Sequence, residues 1–243
     1  MQDVITALQA DPQDPNLVHV FIDGRHAIAV ALDVAADERL TVGQPCTPDR
    51  LERLHRAQER QQAYELALNF LSYRPRSARE VEMRLRKKGY TPEQIEQTLA
   101  RLRQRGYVDD REFARFWIGN RQSFSPRGPH LLRSELRQKG VPAEVVEEAL
   151  AEYKDDQAQR AEEAAAVAAE YDLPEDEPAP GSDEATALAL ARKRMRLLAG
   201  LDPQVTRRRL YSFLARRGYG FDTIDTVVRR VMKPGEDEAI ADE

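Results

Sequence analysis

The chain has 243 residues, a third of them charged and only 7% aromatic, and its single cysteine, Cys46, excludes a disulfide framework and a cysteine zinc site. No apolar run approaches the ~18 residues of a membrane span and no leader opens the chain, so a soluble, cytoplasmic, mainly α protein with no membrane partner is expected. The net charge of −5 conceals segregation: residues 63–141 carry 17 Lys/Arg against 9 Asp/Glu, residues 142–186 carry 2 against 15, and residues 187–233 carry 12 against 3. Two basic bodies flanking an acidic segment predict an acidic partner and say nothing of fold.

In chain order, Val18, Val20 and Ile22 alternate, then Ile28, Val30 and Leu32, with Asp23-Gly24 between them. Asp-Gly between alternating runs supplies the positive φ of a tight hairpin turn, which predicts a β-hairpin over about 17–33. Thr47-Pro48 has the form of an N-cap followed by proline at the first helical position, so a long polar helix is expected to start there and run past residue 60. Residues 1–60 thus form an N-terminal extension holding the hairpin and the start of that helix.

From residue 61 onward one frame recurs three times, anchored on Gly89, Gly140 and Gly218. Eight residues before each glycine stands Val81, Leu132 or Leu210, and four before stands Leu85, Leu136 or Leu214. Tyr90, Val141 or Tyr219 comes directly after, followed by Ile95, Val146 or Ile224 six after and Leu99, Leu150 or Val228 ten after. The two apolar positions before the glycine share one helical face, the glycine fits the left-handed position that ends a helix, and the two later positions start the stripe of the next. A preceding helix fits each frame (63–73, 110–123, 184–199). Ser77 with Glu80 has the form of a capping box, Thr91-Pro92 and Pro142 open third helices, and Asp109 is a candidate cap. The expected units are three-helix repeats at 61–108, 109–155 and 184–233, with an acidic insertion and linker over 156–183 and a disordered acidic tail over 234–243.

The residues that carry the frame also resemble a known family. Arg74 to Ser77, Gly106 to Asp110 with Phe113-Ala114, and Arg127-Gly128-Pro129 before the second basic helix are similar to the RecX family, bacterial regulators of the RecA recombinase. The resemblance covers about 60–232. It implies a mainly α fold of three tandem three-helix repeats in an elongated crescent, here with an N-terminal β-hairpin and helix extension. It also implies binding along the RecA–single-stranded DNA filament, curbing of ATP hydrolysis, strand exchange and coprotease activity in recombinational repair and the SOS response, and no enzymatic activity. Partners would be the RecA filament and single-stranded DNA, with double-stranded DNA as a further candidate, and the protein would act as a monomer.

The residues themselves put cations on the second helix of every repeat. Arg76, Arg79, Arg84, Arg86, Lys87 and Lys88 belong to the first, Arg127, Arg133, Arg137 and Lys139 to the second, and Arg207, Arg208, Arg209, Arg216 and Arg217 to the third. Such side chains neutralise phosphate without reading bases; the competing explanation is a solvated face with cations placed favourably at helix C-termini. Tyr73, Tyr90, Tyr107 and Trp117 lie among them as candidates for base stacking, against which Tyr90 and Tyr107 are expected to fold back on the preceding helix and Trp117 to join a core. His19, His26, His55 and His130 are scattered, no G-x-x-x-x-G-K-[ST] loop is present, and Asp109-Asp110 is better explained as a cap than as a metal site. Catalytic residues, metals and cofactors are therefore not expected. A stand-alone DNA-binding protein using tandem helix-turn-helix-like basic units is the alternative function. Against it, a major-groove reader would add Asn, Gln or Ser to its Arg and Lys, and these helices carry little of either amide.

Overall fold

Asp23 and Gly24 both adopt positive φ, 48° and 79°, and join strand β2 (Leu17–Ile22) to β3 (Arg25–Ala31) as the hairpin predicted from the alternation. This computed structural model describes residues 3–170, 178 and 181–232, so most of the expected insertion over 156–183 lies within it, its first part as helix up to residue 170, whereas the expected tail over 234–243 lies outside the described residues. A third strand, β1 (Ile5–Ala10), pairs antiparallel with β2 to complete a sheet in the order β1-β2-β3. It escaped the sequence because its register shifts between Ile5 and Ala7, which breaks the strict alternation a strand signature needs. The hairpin also ends two residues early: Leu32 starts a short helix, α1 (Leu32–Asp37).

Thr47 caps α2 (Pro48–Leu71), accepting from the Arg50 N–H at 3.3 Å. The first half of α2 covers the sheet, where Leu54 is buried with Ile5, Val20 and Val30. Gln58, also buried, accepts the N–H of Ala31 at 2.7 Å where β3 gives way to α1. The second half carries Ala63, Tyr64 and Ala67 into another core with Val81, Leu85, Ile95 and Leu99 from α3 (Ala78–Lys87) and α4 (Pro92–Gln104). One 24-residue helix thus serves both the extension and the first repeat. Capping boxes at Ser77/Glu80 and Thr91/Gln94 fix where α3 and α4 begin. These elements form one compact unit, Met1–Asp109.

The second unit, Asp110–Glu243, holds two further three-helix sets: α5 (Asp110–Phe124), α6 (Pro129–Gln138) and α7 (Ala143–Glu170), then α8 (Asp183–Met195), α9 (Pro203–Arg216) and α10 (Phe221–Met232). Each has its own core: Phe113, Leu132, Leu136, Val146 and Leu150 in the first, Leu188, Leu210, Leu214, Ile224 and Val228 in the second. All three frame glycines take positive φ (90°, 80° and 86°). In every case the residue after the glycine donates its N–H to the carbonyl of the leucine four before it: Tyr90 to Leu85, Val141 to Leu136 and Tyr219 to Leu214, at 3.1 to 3.3 Å. This is the Schellman closure, and it lets one leucine bury its side chain while its carbonyl stops the helix.

Arg127-Gly128-Pro129 now has a physical reason. The Gly128 N–H donates to the Arg217 carbonyl at 2.8 Å and the His130 N–H to the Gly218 carbonyl at 3.2 Å. Free N–H groups at the start of α6 thereby satisfy carbonyls at the end of α9, and the two helix dipoles meet head to tail. The backbones approach so closely that a Cβ on Gly128 would overlap the Gly218 carbonyl, and one on Gly218 would overlap Leu131. Gly128→Ala should therefore destabilise the second unit by about 1–3 kcal/mol, as overpacking does. Gly119→Ala, inside α5 with nothing within 4 Å of the new methyl, should be neutral or stabilising by up to ~1 kcal/mol. Urea midpoints of the two variants check this; equal midpoints would contradict the close-approach role of Gly128.

Candidate functional site

Val81 and Leu85 point α3 inward, and at about 100° per residue the remaining positions divide into two flanks. On one flank Glu82 binds both Arg79 (2.9 Å) and Arg86 (2.7 Å), so one carboxylate is shared by two cations. The other carries Arg84, Lys87 and Lys88, all exposed and without an ion pair among the described residues. Helix α9 repeats the division. Asp225 of α10 accepts from the Tyr211 hydroxyl and Arg229 and lies 3.8 Å from Arg207. Its carboxyl is held below the ordinary range, chiefly by the Tyr211 hydroxyl and then by Arg229. Arg208, Arg209 and Arg216 are exposed and without ion pairs among the described residues, and of these Arg216 holds the frame position of Lys87.

Helix α6 differs. Arg133 grips Glu147 of α7 with two nitrogens at 2.7 and 2.8 Å, and Arg137 lies 3.6 Å from the same carboxylate. The hydrogen bonds from Arg133 hold Glu147 below the ordinary carboxylate range and raise Arg133 in return. The positions that match Arg84 and Lys87 of α3, counted from the glycine, are here Glu135 and Gln138. Glu135 accepts from the Trp117 indole N–H (2.9 Å) and from Arg121 (2.8 Å), with Arg127 at 3.9 Å. At the start of that flank Leu131 lies beneath Gly218, so the side left open and cationic in α3 and α9 is used in α6 to seat the third repeat.

Of the remaining sequence candidates, Lys139 lies over the Trp117 ring at 4.8 Å and Arg76 over Phe70 at 4.0 Å. Arg217 donates to the Pro126 carbonyl at 3.2 Å, and its pKa is lowered by burial and then by the nearby Arg127. The structure thus sorts the predicted cations into a neutralised or packed set and an open set, the latter being Lys87, Lys88 and, though its guanidinium also lies 5.6 Å from the Phe70 ring, exposed Arg84 in the first unit, and Arg208, Arg209 and Arg216 in the second.

The picture of two basic bodies separated by an acidic segment needs correcting. The segment begins inside α7, and its early acids fold back onto the basic helices of their own repeat: Glu147 onto α6, Glu148 onto Arg111 (2.9 Å) and Glu152 onto Arg115 (2.7 Å). Part of the charge that looks segregated along the chain is therefore paired in space. One signal could have shown this, because an acid stands seven residues after every frame glycine, at Glu96, Glu147 and Asp225. Two of the three, Glu147 and Asp225, meet arginines of the second helix of their repeat.

The aromatic candidates also separate. Tyr90 packs into the first repeat's core as expected and Trp117 lies half-buried against that of the second, but Tyr107 is 52% exposed rather than folded back and Tyr73 is 84% exposed. The histidines are less scattered than the sequence suggested: His19 bridges Asp11 (2.8 Å) and His26 (2.9 Å) through its two ring nitrogens. Both nitrogens are thereby engaged, and no group of three or more His, Cys, Asp or Glu among the described residues could hold a metal ion. No described helix is long and apolar enough to cross a membrane.

Three successive family models match the chain in register with these helices: "RecX, first three-helix domain" over 63–102, the second over 109–150 and the third over 182–228, together more than half its length. The chain belongs to the RecX family. A Bacillus licheniformis relative named Regulatory protein RecX is 28% identical over 97% of this chain and 80% of its own. One from Lactobacillus johnsonii is 34% identical over 57% of this chain and about half (51%) of its own length. A crystal structure titled as regulatory protein RecX covers 93% of this chain at a TM-score of 0.73 and 20% identity, and one of RecX from Lactobacillus salivarius covers 72% at 0.57 and 22%. At such identities the likeness shows the fold, with its three-helix RecX domains and the small N-terminal sheet.

The Arg133–Glu147 pair gives this family member a testable acid response. Because the folded-state pKa of Glu147 is depressed, its contribution to stability is present above the ordinary glutamate value of about 4.3 and is lost as pH falls through the depressed one. Arg133→Gln should flatten the acid limb of urea midpoints between about pH 6 and 3, by a modest amount because the pair is exposed. An unchanged limb would show that the pair is not formed in solution.

Proposed function

We propose that this chain is a non-enzymatic, cytoplasmic regulator that binds the RecA–single-stranded DNA filament as a monomer and restrains ATP hydrolysis, strand exchange and coprotease activity. Family membership supports the class of function. The observation that carries it to a surface is the repetition of an open cationic flank on α3 and α9, each opposite a flank whose cations meet carboxylates. Lys87 and Arg216, each two residues before its frame glycine, are open at the same place in two repeats, which suits a partner that is itself periodic and anionic. The open flanks present Arg and Lys and neither Asn nor Gln, which suits a phosphate backbone or an acidic protein surface. It disfavours the alternative of a stand-alone duplex reader, whose recognition helix needs groups that pair with base edges.

The test is RecA ATPase and strand exchange on single-stranded DNA with the full chain added. Inhibition at stoichiometric ratios is expected, and its absence would reject the proposal. Reversing Arg84, Lys87 and Lys88 to Glu should raise the concentration needed for inhibition at least about tenfold, since each lost phosphate contact also lowers the salt slope by roughly 0.7 on a single strand. Circular dichroism should show the fold intact, because none of the three contributes to the core.

A further inference from the structure

The ring of Phe70, in the last turn of α2, carries two guanidinium groups: Arg76 at 4.0 Å from its centroid and Arg84 at 5.6 Å. Neither has a carboxylate partner among the described residues. The acid nearest in sequence, Glu80, is already committed, accepting from Arg74 at 3.0 Å and from the Ser77 N–H at 3.3 Å. Arg76 has its Nε enclosed with no hydrogen-bond partner. Burial lowers its pKa and the neighbouring cations Arg74 and Arg84 lower it further, against the opposing pull of the Glu80 carboxylate. Two guanidinium groups thus share one aromatic ring, and the carboxylate nearest them in sequence is held by a third, Arg74. Like charges held together at a partly dry surface repel, and an incoming anion relieves that repulsion while gaining fork-shaped donors already fixed in place.

Tyr73 lies in the same six-residue connection from α2 to α3 and is 84% exposed. A tyrosine left almost wholly in water beside a knot of unpaired arginines serves no core. We propose that Phe70, Tyr73, Arg76 and Arg84 form a subsite for single-stranded nucleic acid, in which Arg76 and Arg84 hold a backbone phosphate and Tyr73 stacks on the adjoining base. The inference rests on the filament-binding function proposed above and deepens it, by assigning part of the contact to the DNA strand rather than to the recombinase. Single-stranded rather than duplex DNA is favoured because only an unpaired strand offers a base face to an exposed ring. An acidic protein surface would satisfy the arginines but would leave Tyr73 without a role. Lys87 and Lys88, one turn further along the same flank of α3, continue the cationic track away from the ring.

The experiment titrates the full-length protein, without RecA, against fluorescein-labelled oligo(dT) of 30 nucleotides and against a duplex of equal length, following anisotropy over a range of salt. Tyr73→Ala should weaken oligo(dT) binding about tenfold, the usual order for one stacked base. Its salt slope should stay unchanged because no charge is lost, Tyr73→Phe should bind as wild type, and duplex binding should not respond. Arg84→Ala should reduce the single-strand slope by about 0.7. Photocrosslinking to 4-thiothymidine-substituted oligonucleotide should label Tyr73. Unchanged oligo(dT) affinity for Tyr73→Ala would overturn the subsite, as would equal losses on single strand and duplex, or failure of the wild-type protein to bind oligo(dT) at low salt. RecA ATPase measured with the same variants keeps the two proposals apart. Inhibition that survives while the oligo(dT) effects are absent removes the subsite and leaves filament regulation standing, with the recombinase's acidic surface as the partner of these arginines.

Discussion

One backbone hydrogen bond, made three times, sets the arrangement of everything else. When the N–H after Gly89, Gly140 or Gly218 reaches back to the leucine four residues before the glycine, the second helix of the repeat stops and the third starts in a fixed direction. Only a residue at ease with positive φ permits this. Because the same leucine also fills the core, the turn fixes the rotation of the second helix about its axis. Rotation decides which cations meet the acids of the third helix and which face water. The division of α3 and α9 into a carboxylate-paired and an open flank is thus a consequence of the turn and not a separate feature of charge.

Within the second unit the same geometry has a further use. The end of α9, closed by Gly218, presents carbonyls to which N–H groups at the start of α6 donate, and Gly128 removes the side chain that would keep the two apart. Seating a neighbour on α6 uses up the flank that is open on α3 and α9. This accounts for the absence of free cations there and for the turn of Arg133 and Arg137 toward Glu147. The middle repeat spends its charge on holding its own helices together, while the first and third keep theirs available.

Much of this was legible in the sequence where a local rule and a repeat agreed. Asp23-Gly24 specified its turn, Thr47-Pro48 its helix start, and the three glycine frames their cores, because each rests on backbone chemistry that acts over a few residues. Strand β1 was hidden by a bulge at its start. The charge blocks misled for another reason: a count along the chain cannot see that α7 returns its glutamates to α5 and α6. The candidate site was legible as composition but not as a surface. Every predicted cation lies on or beside a second helix, yet which ones are free depends on acids supplied from elsewhere in the repeat. Phe70 drew no notice in sequence because its role, gathering Arg76 and Arg84 over one ring, exists only after α2 and α3 have packed.

The proposed function requires that the open cations of the first repeat and those of the third each contribute to binding while the cations of the middle repeat are structural. Two charge-matched double variants test it most directly: Lys87→Gln with Arg216→Gln, and Arg133→Gln with Arg137→Gln. Each removes two positive charges, and binding to RecA filaments on single-stranded DNA would be followed as a function of salt. The first pair should lower both affinity and the salt slope while leaving the urea midpoint in place, and the second should lower the urea midpoint with little change in slope. Equal loss of slope for the two pairs would contradict the account, since it would show that net charge alone, and not its placement by the repeat, governs binding.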